Sequence, residues 1–361
     1  MLPPGCEPRC HGCRHRALDL AASHAQKYGY LLRTLGAWSD RMRPLRATTV
    51  RLGYRQRVTL TAEHEEATGW RLGLMQRDEL IAIHDCPVHD SRVRALIHHL
   101  VLRLPAPEVL PLGFLQVAGG QATLIVKARE VATTALDPVI DGLDATGIEG
   151  LWLHLHPSAG RRLFARSGWR LVWGSGESRD GLGLVHGPTA FMQPLPALHR
   201  EALDAAADYL QPGPGASVLD LYCGHGATLR RWTEAGARAL GVELSGDAVR
   251  DATRNAPGAL VLRGTCTQRL PQIRAWWQAA HGARLAYLNP PRSGLDEEVA
   301  RSLADEFAPA RLAYLSCSAG TLARDLGVLE RAGYLLDAIL PFDFFPQTQH
   351  VEALALARLE S

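Results

Sequence analysis

The pentapeptide Arg-Leu-Ala-Tyr-Leu occurs twice, at residues 284–288 and 311–315. A run that is apolar on both faces sits comfortably only between two layers of helix, which is the environment of a parallel sheet in an α/β fold. Each run ends on a polar cluster: Asn289-Pro290-Pro291-Arg292 after the first, Ser316-Cys317-Ser318 after the second. The carboxyl ends of parallel strands are where open α/β sheets hold their ligands. A small turn containing Gly320 follows Cys317, and a helical pattern covers 321–331. The thiol is therefore expected just before a helix N-terminus, where the helix dipole and nearby amide donors favour thiolate, the form that attacks electrophiles. A buried cysteine acting as a small hydrophobe is the plainer alternative for a lone thiol.

The same half of the chain carries a second strand-and-turn signal. A helix over 197–210 leads through Pro212-Gly213-Pro214-Gly215 to a strand at 217–221, then Tyr222-Cys223-Gly224-His225-Gly226, with Ala227 opening the next helix. Glycine allows the backbone close to a ligand, and strand-turn-helix is the nucleotide-binding arrangement. A strand at 239–242 delivers Glu243 about twenty residues on, where a carboxylate can accept hydrogen bonds from ribose hydroxyls. Only Gly224 and Gly226 are present, without a third glycine. A smaller adenosine ligand such as S-adenosylmethionine fits that turn better than a dinucleotide. In Asn289-Pro290-Pro291 the prolines fix the turn and donate no backbone hydrogens, so the asparagine amide is held towards a planar ligand.

The N-terminal half reads differently. Cys6, Cys10 and Cys13 form a C-x-x-x-C-x-x-C cluster, followed by a helix expected over 17–35. Three soft thiolates hold one face of a metal centre, and a closed site needs a fourth ligand. Cys86, followed by Pro87, is the candidate. Spacing alone leaves iron-sulfur and tetrahedral zinc both open, with His11, His15, His84 and His89 as further zinc ligands. From 46 to about 185 the pattern is mixed and mostly β: alternation over 49–61 and 69–83, helical spacing over 91–104, and strands at 113–117, 122–127 and 151–155. Gly53-Tyr54-Arg55-Gln56-Arg57 joins an aromatic ring to two guanidinium groups, a combination suited to base stacking with phosphate contact.

Formal charge is +2, so no global excess demands a nucleic-acid partner. The first sixty residues, however, are locally basic, with Lys and Arg from Arg9 to Arg57 far outnumbering Glu7, Asp19 and Asp40. No stretch is apolar over the ~18 residues of a membrane span, and no signal peptide is recognisable, so a cytoplasmic protein with no membrane partner is expected. Seven cysteines in a reducing compartment serve better as ligands or nucleophiles than as disulfides.

Taken in order, these segments resemble the RNA uracil carbon-5 methyltransferase family, in particular its iron-sulfur branch acting on ribosomal RNA. The resemblance spans nearly the whole chain: the cysteine cluster with Gln26-Lys27, Gly53-Tyr54-Arg55, Cys86-Pro87, Phe191-Met192-Gln193, the glycine turn, Pro290-Pro291-Arg292, Ser316-Cys317 with Thr321-Leu322-Ala323-Arg324-Asp325, and 345–352 ending in His350-Val351-Glu352. It implies an α/β fold: a class I S-adenosylmethionine-dependent methyltransferase (Rossmann-like) domain preceded by a mixed α+β RNA-binding domain with an iron-sulfur loop. It implies Cys317 as nucleophile and Glu352 as general base. Gln193, Tyr222, Glu243 and Asn289, with Gly224 and Gly226, would line the cofactor pocket. Cys6, Cys10, Cys13 and Cys86 would hold a 4Fe-4S cluster. The expected division is an iron-sulfur loop and helix over 1–45, a central RNA-binding domain over 46–190 that supplies Cys86, and a catalytic domain over 191–361. Ribosomal RNA is the expected partner, ahead of transfer RNA, and the product is 5-methyluridine.

The chemistry is coherent on its own terms. Uracil carbon 5 is a poor nucleophile until a thiolate adds to carbon 6, and a base must then remove the carbon-5 proton. Glu352 lies in a late apolar segment, where desolvation raises a carboxylate's pKa. Three positions depart from the family pattern: Asn289 replaces an aspartate, and Ala227 and Leu195 each replace an asparagine. Re-tuned or weakened cofactor binding is the expectation, and the family's additional N-terminal β-barrel is expected to be lacking. Two alternatives remain: methyl transfer to an exocyclic base nitrogen, prompted by Asn289-Pro290-Pro291, and an RNA-binding iron-sulfur protein impaired in catalysis.

Overall fold

The computed structural model describes residues 2–360. It divides into two compact units, one built from the segment up to Ala17 together with Val50–Pro194, the other from Leu18–Thr49 together with the chain from Leu195 onward. The N-terminal piece expected over 1–45 is therefore split, for a physical reason. Helix α1 (Leu20–Thr34) carries Leu31, with Tyr28 and Leu32 beside it, into the core of the second unit, whereas Cys10 packs against the core of the first.

The first unit is a seven-stranded sheet in the order β3-β2-β1-β4-β5-β6-β7. Its strands are β1 (Arg57–Glu65), β2 (Gly69–Gln76), β3 (Glu79–Ala82), β4 (Leu112–Ala118), β5 (Gln121–Val126), β6 (Gly150–Leu155) and β7 (Trp169–Gly174). Every neighbouring pair is antiparallel except β5 and β6. Helix α2 (Ser91–Arg103) covers the sheet with Val93, Leu96, Ile97 and Leu100, all fully buried, as its 3.6-residue spacing predicts. A short helix, α3 (Asp137–Ile140), and a two-stranded pair, β8 (Ser178–Arg179) and β9 (Val185–His186), also belong to this unit. Three expectations change. The alternation over 49–61 becomes a strand only from Arg57, because the chain turns through Gly53 at φ +66°. The pattern over 69–83 is a hairpin, broken at Arg77 with φ +55°. Tyr54 is 4 % exposed, so it is a core residue and offers no ring to a base.

The second unit is a sheet in the order β12-β11-β10-β13-β14-β16-β15. It comprises β10 (Ser217–Leu221), β11 (Arg238–Glu243), β12 (Leu260–Arg263), β13 (Arg284–Leu288), β14 (Arg311–Ser316), β15 (Tyr334–Phe342) and β16 (Glu352–Leu359). The first five are parallel, and β16 runs antiparallel between β14 and β15. Helices α4 (Pro196–Leu210), α5 (Ala227–Glu234), α6 (Gly246–Asn255), α7 (Cys266–Gln278), α8 (Glu297–Arg301) and α9 (Ala319–Arg331) accompany this sheet. The identical pentapeptides are the adjacent strands β13 and β14, paired so that Leu285 faces Arg311 and Tyr287 faces Ala313. That offset puts their tyrosines on opposite faces of the sheet. Tyr287 packs 5.8 Å from Trp232 of α5, while the Tyr314 hydroxyl donates to Asp325 of α9 at 2.7 Å. The strand order reverses between β10 and β13, so a crevice is expected beyond their carboxyl ends.

Candidate active site

The glycine turn lies at that reversal. Tyr222 leaves β10 at φ +63°, a conformation that costs a non-glycine residue energy and recurs at functional sites. Gly226, at φ +91°, leaves no room for a side chain, since a Cβ there would come within 2.9 Å of the Ala252 Cα. Gly224 faces the other way: a Cβ on it would meet nothing within 4 Å, so the turn borders open space. Glu243 ends β11 beside it. One carboxylate oxygen accepts from the Gly224 N–H at 3.2 Å and the other from the Ser245 N–H at 2.7 Å. The next residue, Leu244, is 64 % exposed, an apolar side chain left in solvent beside the carboxylate. Asn289 leaves β13 half-buried, its N–H bonded to the Leu221 carbonyl. Tyr222, Gly224, Gly226, Glu243 and Asn289 thus stand together at the carboxyl ends of β10, β11 and β13. Gln193 belongs to the first unit, where it is buried. Ala227 is the first residue of α5 and Leu195 the buried N-cap of α4.

Cys317 follows β14 and Glu352 opens β16, on adjacent strands whose register pairs Ser316 with Ala353. Glu352 is 4 % exposed and Cys317 half-buried. The thiol is held above its ordinary range, first by burial and then by the Glu352 charge, while Arg292 pulls it back through charge and hydrogen bonding. The expectation of a thiolate favoured by the helix terminus is therefore corrected. Cys317 precedes the N-cap Ser318 of α9, and desolvation together with a neighbouring carboxylate outweighs the amide donors.

Arg292, to which sequence reasoning gave no role, lies against the Cys317 thiol, and the Thr-Leu-Ala-Arg-Asp stretch explains how it is placed. Asp325 is buried and accepts from the Leu295 N–H at 2.9 Å and the Tyr314 hydroxyl at 2.7 Å. Arg324 donates to the carbonyls of Ser293 and Leu295, and the Thr321 hydroxyl to that of Arg292. Gly294 closes the clamp at φ +75°, where a Cβ would collide with the Arg324 and Asp325 side chains. The loop after β13 is tied to α9 at both ends, which keeps Arg292 against the thiol.

The segment before Glu352 is pinned from α1. Lys27, 1 % exposed, donates to the buried Asp343 carboxylate at 2.5 Å and to the Phe345 carbonyl at 3.1 Å. The Thr348 hydroxyl donates back to Phe345 and accepts from the His350 N–H, folding the approach to Glu352 into a tight turn.

In the first unit Cys6, Cys10, Cys13 and Cys86 are all free and half-buried. The Cys13 thiol is pushed up to about 11, first by burial, then by Cys86, Cys10 and Cys6, with Arg55 opposing. Cys86 is also raised, again by burial first, although amides of Val88 and His89 bond its sulfur. The Gly12 N–H donates to the Cys10 sulfur at 3.4 Å. Cys13 thus feels the charges of the other three thiols, and Cys86 that of Cys10, with Arg55 opposing in both cases. Among the described residues no group of three or more His, Cys, Asp or Glu side chains is arranged to hold a metal ion. Nor is any helix among them long and apolar enough to cross a membrane.

The strand order, with its antiparallel strand β16 inserted beside the last parallel strand, and the glycine turn ending in Glu243 define an S-adenosylmethionine-dependent methyltransferase fold. The family model for tRNA (uracil-5-)-methyltransferases matches residues 269–358. The 23S rRNA (uracil(1939)-C(5))-methyltransferase RlmD of Hahella chejuensis is 30% identical over 98% of this chain and 83% of its own length. The enzyme of the same name from Thiobacillus denitrificans is 32% identical over 96% and 83%. The crystal structure of the Pyrococcus abyssi tRNA (uracil-54, C5)-methyltransferase in complex with S-adenosyl-L-homocysteine shares the fold, with a TM-score of 0.72 at 20% identity over 97% of this chain and 86% of that one. The chain belongs to the RNA uracil-C5 methyltransferase family and is an S-adenosylmethionine-dependent RNA methyltransferase.

Proposed function

We propose that the protein forms 5-methyluridine in ribosomal RNA by covalent catalysis at Cys317. The observation that carries this reading is the convergence of Cys317, Arg292 and Glu352 at the ends of β13, β14 and β16. Arg292 stabilises the Cys317 thiolate, which adds to carbon 6 of uracil and leaves an enolate-like ring with a nucleophilic carbon 5. S-adenosylmethionine, when bound, supplies the methyl group that carbon 5 takes. Glu352, buried beside Cys317, then removes the carbon-5 proton; the carbon 5–6 double bond reforms and the sulfur leaves as thiolate. The glycine turn fits the methyl donor through the open space beside Gly224, with Glu243 for the ribose hydroxyls and Leu244 for an apolar ring. Tyr222, Gly226 and Asn289 complete that rim, and Gln193 is assigned to the cofactor by family resemblance alone. Methyl transfer to an exocyclic nitrogen would leave the Cys317, Arg292 and Glu352 set without a task.

Cys6, Cys10, Cys13 and Cys86 would hold a 4Fe-4S cluster. Each iron of such a cluster would take one thiolate, so the four sulfurs need not converge on a single point. Iron and sulfide content of anaerobically purified protein, lost in Cys86→Ser, tests that assignment.

The mechanism is tested with RNA containing 5-fluorouridine, because fluorine at carbon 5 blocks the elimination. The expected result is a covalent protein–RNA complex that requires both S-adenosylmethionine and Cys317. A Cys317→Ala variant that methylates RNA at the full rate would refute it.

A further inference from the structure

The connection between β6 and β7 is strongly basic. Residues 151–176 contain Arg161, Arg162, Arg166 and Arg170, and not one Asp or Glu. All four arginines are exposed, and among the described residues none makes an ion pair or a side-chain hydrogen bond. Three other arginines of this unit are neutralised: Arg9 by Glu7 and Glu79, Arg71 by Glu65, Arg103 by Asp141. The positive charge of this segment is therefore available to a partner.

The same stretch carries an aromatic layer on the face of Trp169; Arg170, next to it in β7 and paired with Leu153, belongs to the other face. Trp169 stacks on His154 with ring centroids 4.0 Å apart and 27° between planes. Phe164 lies 5.4 Å from Trp169, and Trp152 meets it edge-on at 6.2 Å. His154 is fully buried and its ring accepts from the Ala165 N–H at 2.9 Å, while Trp169 donates to the Ala165 carbonyl at 3.0 Å. The loop is thus fastened to the aromatic layer from both sides. Gly168, at φ +87°, lets its carbonyl accept from the Leu155 N–H, where any Cβ would strike the Leu155 oxygen at 2.3 Å. Phe164, Trp169 and Trp152 are only half-buried. A rigid aromatic layer rimmed by unpaired guanidinium groups matches the two requirements of single-stranded nucleic acid: faces on which bases stack and cations that follow the phosphates.

We propose that the β6–β7 connection, through Arg161, Arg162, Arg166 and the ring of Trp169, is a binding surface for a single-stranded segment of the RNA substrate. This rests on the reading that the substrate is RNA, and names where the first unit grips it. The rim is all arginine, a side chain whose planar cation both stacks on bases and pairs with phosphate oxygens. An acidic protein would be served by charge alone and would not need the rings.

The test measures binding of a fluorescently labelled, unstructured oligoribonucleotide by anisotropy, without methyl donor and over a series of salt concentrations. Wild-type protein is compared with the threefold Arg→Ala variant at 161, 162 and 166, with Trp169→Leu, and with Arg103→Ala as a control for a paired surface arginine. Three phosphate contacts on a single strand correspond to a salt slope of about 2.1, so the threefold variant should bind more weakly with its slope reduced by about that amount. Trp169→Leu should weaken binding by roughly 5- to 150-fold with the slope unchanged, the worth of one stacked base. Arg103→Ala should match wild type. Equal binding by wild type and the threefold variant, or an equal effect on an RNA duplex, would overturn the proposal. The threefold change touches only exposed side chains, so its result stands even if Trp169→Leu does not fold. Because no methyl transfer is read, failure of the catalytic reading would appear separately, as wild-type protein that binds this RNA and does not methylate any.

Discussion

Replacing Arg292 with alanine isolates the electrostatic control of Cys317. Burial and Glu352 hold the thiol above its ordinary value, and Arg292 is the cation that opposes them. A hydrogen bond to a charged group contributes about 1.5–3 kcal/mol when shielded from water. Arg292 is exposed, and solvent screening reduces its effect to about 1 kcal/mol. That corresponds to roughly a fivefold lower thiolate fraction at any pH below the thiol's pKa. Methyl transfer to RNA, followed as kcat/KM from pH 6.5 to 9.5, should therefore drop about fivefold at neutral pH and recover as pH rises, with its ascending limb displaced upward. Alkylation of Cys317 by iodoacetamide, read by mass spectrometry, should move by the same amount. An Arg292→Ala profile lowered equally at every pH, with the alkylation rate unchanged, would refute the reasoning and assign the guanidinium to an RNA phosphate instead.

Three further outcomes follow from the geometry. Lys27→Met should destabilise the protein by about 3–5 kcal/mol in chemical denaturation, because Asp343 loses its buried partner, and Lys27→Met combined with Asp343→Leu should recover part of the loss. Gly226→Ala should cost roughly 1–2 kcal/mol for its left-handed backbone alone, and should weaken S-adenosylmethionine binding in calorimetry as Ala252 is displaced. Asp220 is fully buried, with the Trp232 ring N–H donating to it at 2.8 Å, and burial pushes its carboxyl up to about 7. Since the folded state holds that proton more tightly than the unfolded chain, the group's stabilising contribution is present below about pH 4 and is lost as pH rises through 7. Melting temperatures should therefore show Asp220→Asn gaining on wild type between pH 5 and pH 8.

Most of the parallel sheet was legible because its strands are short, continuous apolar runs that end on glycine, proline or polar residues. Residues 217–221 and both copies of the pentapeptide fall where periodicity puts them, and so does α2. The fate of residues 20–34 was not legible. An amphipathic helix announces that it has an apolar stripe, not which core receives it, and proximity to the cysteines pointed to the wrong one. Tyr54 shows the same limit from the other side, since an aromatic flanked by arginines reads identically whether its ring is buried or offered. The Cys317 position was legible but its electrostatics were not: the residues that set the thiol's proton affinity lie 25 and 35 positions away and meet it only through strand register. Strand β7 escaped because two tryptophans and two arginines within and around it disguise its alternation.

The two units are interleaved in the chain, each assembled from two separated stretches. A polypeptide cut at Leu195 would accordingly yield a sheet deprived of Leu31, Lys27 and the cover they provide. During synthesis the helix that anchors the approach to Glu352 leaves the ribosome long before β15 and β16 and must wait, its apolar stripe unclaimed, until they are made. The turn before Glu352 thus takes its shape only after about three hundred further residues have followed its anchor.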